Sequence, residues 1–280
     1  MTKTFAAVSA AALAPLLLAG IAAPAAAQDW SGVYVGGYAG YQMPSQDEDE
    51  RILFDTNLDG TYGDTVRTTA AADAFSPGFC DGRPNGNNAG AGCTDDEDGT
   101  GEVGIRGGYD FQAGAWVFGV VGEAGVTGVE NAVTGFSTTP ASYTFESEVT
   151  SIAALRGRVG YAMGSYLPYV TAGYARANIE QTYATSNAAN SFSPIRDTTD
   201  ADGFQVGGGV EKWLTSSITV GVEYLYSDLD VNDGMVVRTG PGTAPATNPF
   251  LLVNPAGTNQ IRSSDSIELH SFRVTAAVRF

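Results

Sequence analysis

From residue 30 onward, apolar and polar positions alternate with a period of two, and helix-period patterns are almost absent. That period puts alternate side chains on opposite faces of a strand. In 101–111, Val103, Ile105, Tyr109 and Phe111 share one parity, and Glu102, Arg106 and Asp110 the other. In 204–211, Phe204, Val206 and Val210 oppose Gln205 and Glu211. In 217–229, Ile218, Val220, Val222, Tyr224 and Tyr226 oppose Thr219 and Glu223. The chain closes the same way: Phe272, Val274, Ala276, Val278 and Phe280 alternate with Arg273, Thr275, Ala277 and Arg279. Eight strands are predicted, near 30–42, 100–111, 115–128, 148–162, 166–181, 203–213, 217–229 and 267–280.

The connections separate into two kinds. Residues 112–114, 163–165 and 214–216 are tight turns, whereas 43–99, 129–147, 182–202 and 230–266 are long. An even number of strands with short turns at one end and long loops at the other predicts an all-β, eight-stranded antiparallel transmembrane β-barrel with long extracellular loops. Each strand meets the roughly 9–11 residues that a tilted membrane span needs. Aromatic residues near strand ends, Tyr34, Tyr38, Tyr41, Tyr109, Trp116, Tyr161, Tyr166, Trp213, Tyr224 and Tyr226, are expected in interfacial girdles. A soluble β-sandwich also alternates, but gives no reason for short and long connections to alternate.

Residues 1–27 form their own segment. Lys3, an apolar run to about Ala23, and Ala25-Ala26-Ala27 before Gln28 read as a secretory signal peptide cleaved near Ala27/Gln28. A membrane anchor is the alternative, disfavoured by Pro15 and Pro24. Residues 28–280 are the barrel domain, and loss of Lys3 takes the net charge from −17 to −18. That charge excludes a nucleic-acid binder. A single histidine, His270, excludes paired-histidine catalysis.

The opening QDWSGVYVGGYAGYQ (28–42) resembles the first strand of the eight-stranded outer-membrane β-barrel family of alphaproteobacteria, which includes the outer-membrane immunogenic, opacity-like and outer-membrane-protein-A-like barrels. SFRVTAAVRF (271–280) resembles the terminal assembly signal of such barrels, carried by Phe272, Val274, Ala276, Val278 and Phe280. The resemblance implies residence in the outer membrane of a Gram-negative bacterium. The implied partners are outer-membrane lipids, lipopolysaccharide and, through the last strand, the barrel assembly machinery. Relatives that hydrolyse lipid A carry His and Ser two residues apart. His270 and Ser271 are adjacent and must face opposite ways.

The parity opposite the lipid face carries five acids, Glu102, Asp110, Glu123, Glu211 and Glu223, and five bases, Arg106, Arg156, Arg158, Arg273 and Arg279. Eight strands enclose a space that side chains fill, and buried charges must be paired. The expectation is a salt-bridged interior with a structural, surface-exposed role in envelope integrity. The alternative is a narrow porin whose pairs part. No enzymatic activity is expected.

The first loop, 43–99, holds thirteen acids against Arg51, Arg67 and Arg83. Within it, Asp55, Asn57, Asp59 and Gly60 match the start of an EF-hand loop. The twelfth position is Val66 rather than Glu, and Asp64 at the tenth is the substitute. Calcium there is the one cofactor candidate, against an Asx-rich turn. Cys80 and Cys93 are expected to form a disulfide in an oxidising compartment, with metal or redox chemistry as the alternatives. Residues 185–199 and 239–258 read as mobile loop tips.

Overall fold

The computed structural model describes residues 28–45, 50–94, 99–196, 200–231 and 234–280. The signal-peptide assignment to 1–27 and the acids at 47–49 and 95–98 lie outside them. Eight long strands form the frame: β1 (Gly32–Pro44), β2 (Thr100–Ala113), β3 (Trp116–Ser137), β4 (Ala141–Tyr161), β5 (Tyr166–Thr185), β6 (Asp200–Trp213), β7 (Ile218–Asp230) and β8 (Ser266–Arg279). Each pairs antiparallel with its sequence neighbour, and β1 pairs with β8 through Tyr34↔Arg279 to Pro44↔Leu269. The ring closes into a barrel and leaves no open edge within it.

The alternation sorts side chains as the sequence implies. Ile105, Val170, Leu155, Val222 and Val274 point outward and are more than half exposed. This apolar belt runs from Trp116 and Tyr161 at the short-turn end to Val126 and Tyr174 at the other. From Trp116 to Val126 the belt occupies the ten-residue rise expected of a membrane-spanning strand. Tyr41, Tyr109, Trp116, Tyr161, Tyr166 and Tyr224 lie on the outer face, as girdle residues should. Tyr34, Tyr38 and Trp213 do not. Tyr34 and Tyr38 are buried in the lumen, and Trp213 packs against Trp30 at its floor, with ring centroids 5.2 Å apart. Tyr34 and Tyr38 share parity with Gly36 and Gly40, not with Val33 and Val35, so strand geometry sends them inward.

The long connections differ from expectation. Residues 129–147 are not a loop: β3 and β4 continue for 22 and 21 residues, past a bulge between Val126 and Val129, and turn only at 138–140. About half of this hairpin therefore projects beyond the belt. The supposed loop tips at 185–199 and 239–258 also carry strands. Ser191–Arg196, Val236–Gly240, Thr258–Arg262 and Ile52–Asp55 join in that order into a separate four-stranded sheet. Residues from the first and last loops pack onto the lumen-side face of the projecting hairpin. Phe54, Phe75, Tyr143, Phe145, Val133, Met235 and Phe250 form the resulting core. Its rings meet at 4.4 to 5.9 Å, as in Phe54–Phe75, Phe75–Tyr143 and Phe75–Phe250. This apolar core explains why segments rich in Ser, Gly and Pro are structured: they are anchored by Phe192, Phe250 and Val237. The cap sits over the barrel mouth.

Candidate functional site

The lumen is layered. At the short-turn end, Trp30, Val117 and Leu167 are fully buried and, with Trp213, form an apolar floor. Above it lie all ten charges expected inside, each of them buried. Next come Gln42, Ser271, Gln205 and Ser227, joined by Gln42 Nε2 donating to Ser271 Oγ (2.9 Å) and Gln205 Nε2 to Ser227 Oγ (2.9 Å). An apolar layer of Ile152, Ala175, Ala177, Leu229 and Leu269 closes the column toward the cap.

The charges form one connected network. Toward the floor, Arg158 donates to both oxygens of Asp110 and reaches Glu211 at 2.6 Å. Arg279 reaches Asp110 at 2.6 Å and Glu211 at 3.3 Å, and donates to Trp30 O at 2.7 Å. Toward the cap, Arg156 holds Glu123 through two bonds of 2.8 Å and also donates to Gln205. Arg273 holds Glu102 through two bonds of 2.8 Å and reaches Glu123. Such two-point pairing is the strongest arrangement open to Arg and a carboxylate. Arg106 connects the halves at longer range, 3.5 Å from Glu223 and 4.0 Å from Glu211. None of its guanidinium nitrogens has a hydrogen-bond partner among the described residues.

Tyrosine rings insulate the network. The Arg158 guanidinium lies 4.7 Å from the Tyr34 ring and 5.1 Å from Tyr169, and Arg273 lies 4.2 Å from Tyr38. Tyr169 OH donates to Glu223 at 2.8 Å. Tyr34, Tyr38, Tyr169 and Gln205 belong to this site and were not identified from the sequence. The available signal was small residues opposite large ones. A Cβ on Gly104 would stand 2.6 Å from Ala124 O and meet the Tyr38 ring, and one on Gly209 would stand 2.8 Å from Tyr169 OH.

The other candidates separate. Cys80 and Cys93 are joined in a disulfide, with Cα atoms 6.2 Å apart. Gly78–Asp81 pairs with β3 through Cys80↔Thr134, so the bridge staples this excursion beside the projecting hairpin. From it Arg83 reaches Glu130 at 2.8 Å and Glu146 at 2.9 Å, contacts that raise its already high pKa further against the cost of burial.

Asp55, Asn57, Asp59 and Asp64 share one loop, but their oxygens serve its backbone. Asp55 accepts from the N–H of Asp59 and Gly60, both at 3.1 Å. Asn57 accepts from Asp59 N–H and Asp59 from Thr61 N–H, both at 2.8 Å. Asp64 accepts from Thr56 N–H at 2.9 Å. The Asn57 and Asp59 bonds, each to the N–H two residues on, are Asx turns, and Val66, where a bidentate Glu belongs, is buried in the cap core. The calcium expectation has no support in this geometry, and among the described residues no group of three His, Cys, Asp or Glu side chains is placed for a metal. His270 accompanies Tyr224 on the outer face, Nδ1 2.8 Å from the hydroxyl, while Ser271 is buried in the lumen. They do not form a dyad.

Comparison with known proteins agrees with the barrel. The family model described as "Outer membrane protein beta-barrel domain" matches residues 11–280. The 22 kDa outer membrane protein of Rhizobium leguminosarum bv. viciae is 32% identical over 126 residues, or 45% of this chain and 51% of that protein. The 25 kDa outer-membrane immunogenic protein of Brucella ovis is 32% identical over 145 residues, or 50% of this chain and 62% of that protein. The chain thus spans about half to three fifths of these relatives. Among solved structures, Neisserial surface protein A is similar at a TM-score of 0.36 and 10% identity, over 89% of this chain and 98% of that one. Outer Membrane Protein W of E. coli is similar at a TM-score of 0.33 and 14% identity, over the same 89% and 98%.

Proposed function

The chain belongs to the outer-membrane β-barrel domain family of Gram-negative bacteria, and on that premise we propose that it is a closed, non-enzymatic barrel that supports the integrity of the outer membrane and displays a folded cap at the surface. The observation that carries this reading is the lumen's composition. Five carboxylates and five guanidiniums compensate one another between two apolar layers. A solute crossing the lumen would have to part buried pairs, and an uncompensated buried charge costs several kcal/mol. Lipids and lipopolysaccharide are the partners proposed for the apolar belt and the rim above it. The barrel assembly machinery is the partner proposed for β8, with Phe272, Val274, Ala276, Val278 and Phe280 along its lipid face.

The alternative is a narrow porin. Arg106 favours it, because its two ion pairs, at 3.5 and 4.0 Å, are not reinforced by any hydrogen bond among the described residues and could exchange partners with little loss. A deletion strain tests the two together. The closed reading predicts raised sensitivity to detergents and bulky antibiotics with unchanged uptake of small solutes. Slower small-solute uptake at unchanged detergent resistance would replace it with the porin.

A further inference from the structure

Between the apolar layer of the lumen and the cap lies a cavity of about 290 Å³. Its floor is Val129, Val149, Val231 and Ile267, and its roof includes Met235 and Ile261. We propose that this vestibule is a binding site for a small uncharged amphiphile taken up from outside the cell. Three observations lead there.

First, the volume lies near the lower end of small-molecule sites, which favour the mouths of β-barrels. At protein-like packing it accommodates on the order of ten to fifteen non-hydrogen atoms.

Second, among the described residues the wall offers no unspent positive charge. Arg262 lines the cavity, and its guanidinium donors are taken. Two go to Glu50 at 2.6 and 2.7 Å, one to Ser147 Oγ at 3.0 Å, and the rest to Asn131. Asp265 and Glu268 stand exposed at the rim. An anionic ligand would lose its hydration without gaining a counter-ion, and a cationic one finds carboxylates only at the solvent-exposed rim, where screening leaves them little hold. An uncharged one needs only the apolar floor and a hydroxyl or amide partner such as Gln181.

Third, the vestibule leads nowhere. The apolar layer and the ion network lie directly beneath it, so what enters is retained rather than passed. This last step rests on the closed-lumen reading.

The test uses full-length mature protein refolded in lipid nanodiscs, with labelled Ile, Val and Met methyl groups. The probes are 2-naphthol, which is uncharged, and 2-naphthalenesulfonate. The proposal predicts saturable shifts at Val149, Met235 and Ile261 with 2-naphthol, and at least tenfold weaker binding of the sulfonate. Gly234→Phe should abolish the shifts, because Gly234 lines the cavity and a Cβ there meets nothing within 4 Å. If that variant fails to fold, the wild-type shifts still decide. Shifts confined to lipid-facing Val103 and Val274, equal binding of the sulfonate, or binding unaffected in folded Gly234→Phe would overturn it. Planar-bilayer recordings on the same sample separate the two readings. Absent shifts with silent bilayers remove the site and leave the closed barrel. Discrete channels remove the closed lumen, and the retention argument with it.

Discussion

Replacing Arg273 by Met is the sharpest perturbation of the ion network. The buried Arg273 guanidinium makes both hydrogen bonds to Glu102, pairs with Glu123 and stacks on Tyr38. Arg273→Met leaves Glu102 buried, and its only ion pair among the described residues is lost. Removing one partner of a buried pair costs about 3–5 kcal/mol, and loss of the ring contact adds up to about 1–2. Glu102→Gln is milder, because Arg273 keeps Glu123, Tyr38 and a neutral acceptor; about 1–2 kcal/mol is expected. The double variant Arg273→Met, Glu102→Leu removes both charges and should be more stable than Arg273→Met alone by about 2 kcal/mol. Urea unfolding in lipid vesicles, followed by tryptophan fluorescence, measures all three. At a slope near 2 kcal/mol/M, Arg273→Met lowers the midpoint by roughly 2 M. The reasoning fails if Arg273→Met lies within about 1 kcal/mol of wild type, or if the second substitution deepens the loss.

Glycine spacing gives a second test: Gly104→Ala should cost about 1–3 kcal/mol through overpacking against Ala124 O and Tyr38, whereas Gly122→Ala, with nothing nearer than 4.0 Å, should be neutral to slightly stabilising by heat-dependent gel mobility. Cys80→Ser should speed amide exchange across 78–94, where the disulfide closes a 13-residue separation, and leave barrel strands protected; faster exchange in β7 or β8 would contradict a local staple. Deleting Phe280 removes a lipid-facing terminal ring and the bond from its N–H to Val33 O, so assembly yield in cells should fall; an unchanged yield would refute the terminal-signal role. Above the belt, burial and then the Glu130 and Glu180 carboxylates raise the pKa of Glu148. A raised carboxyl pKa means the folded state holds the proton more tightly, so stability rises as pH falls through that pKa. Glu148→Gln should therefore protect the hairpin from proteolysis at neutral pH and lose that advantage in acid; equal protection at both would refute the repulsion.

The ring and its lumen were readable because one face of every strand is dictated by its surroundings. Val103, Ile105 and Tyr109 must meet lipid, so Glu102, Arg106 and Asp110 must meet each other, and parity alone assigns them. Tyr34, Tyr38 and Trp213 point inward despite the expectation of a girdle, because parity and not nearness to a strand end sets the face, and Gly36 and Gly40 mark the inward face of β1. The cap was not readable for a different reason. Period-two patterns reveal strands half-buried against a uniform neighbour, but Ile52–Asp55 and Val236–Gly240 are buried on irregular partners supplied by distant loops. The continuation of β3 past Val126 is hidden by a bulge that breaks the alternation where lipid gives way to water. The DTNLDG segment shows how one local pattern serves two chemistries, since the same oxygens that would wrap a cation accept backbone N–H groups here.

The central claim is that the lumen is shut by a compensated charge network between apolar layers. Single-channel recording of the refolded mature protein in a planar bilayer tests it most directly, with folding verified by heat-dependent mobility. The account predicts silence at moderate voltages. Discrete, reproducible conductance steps from a fully folded sample would contradict it.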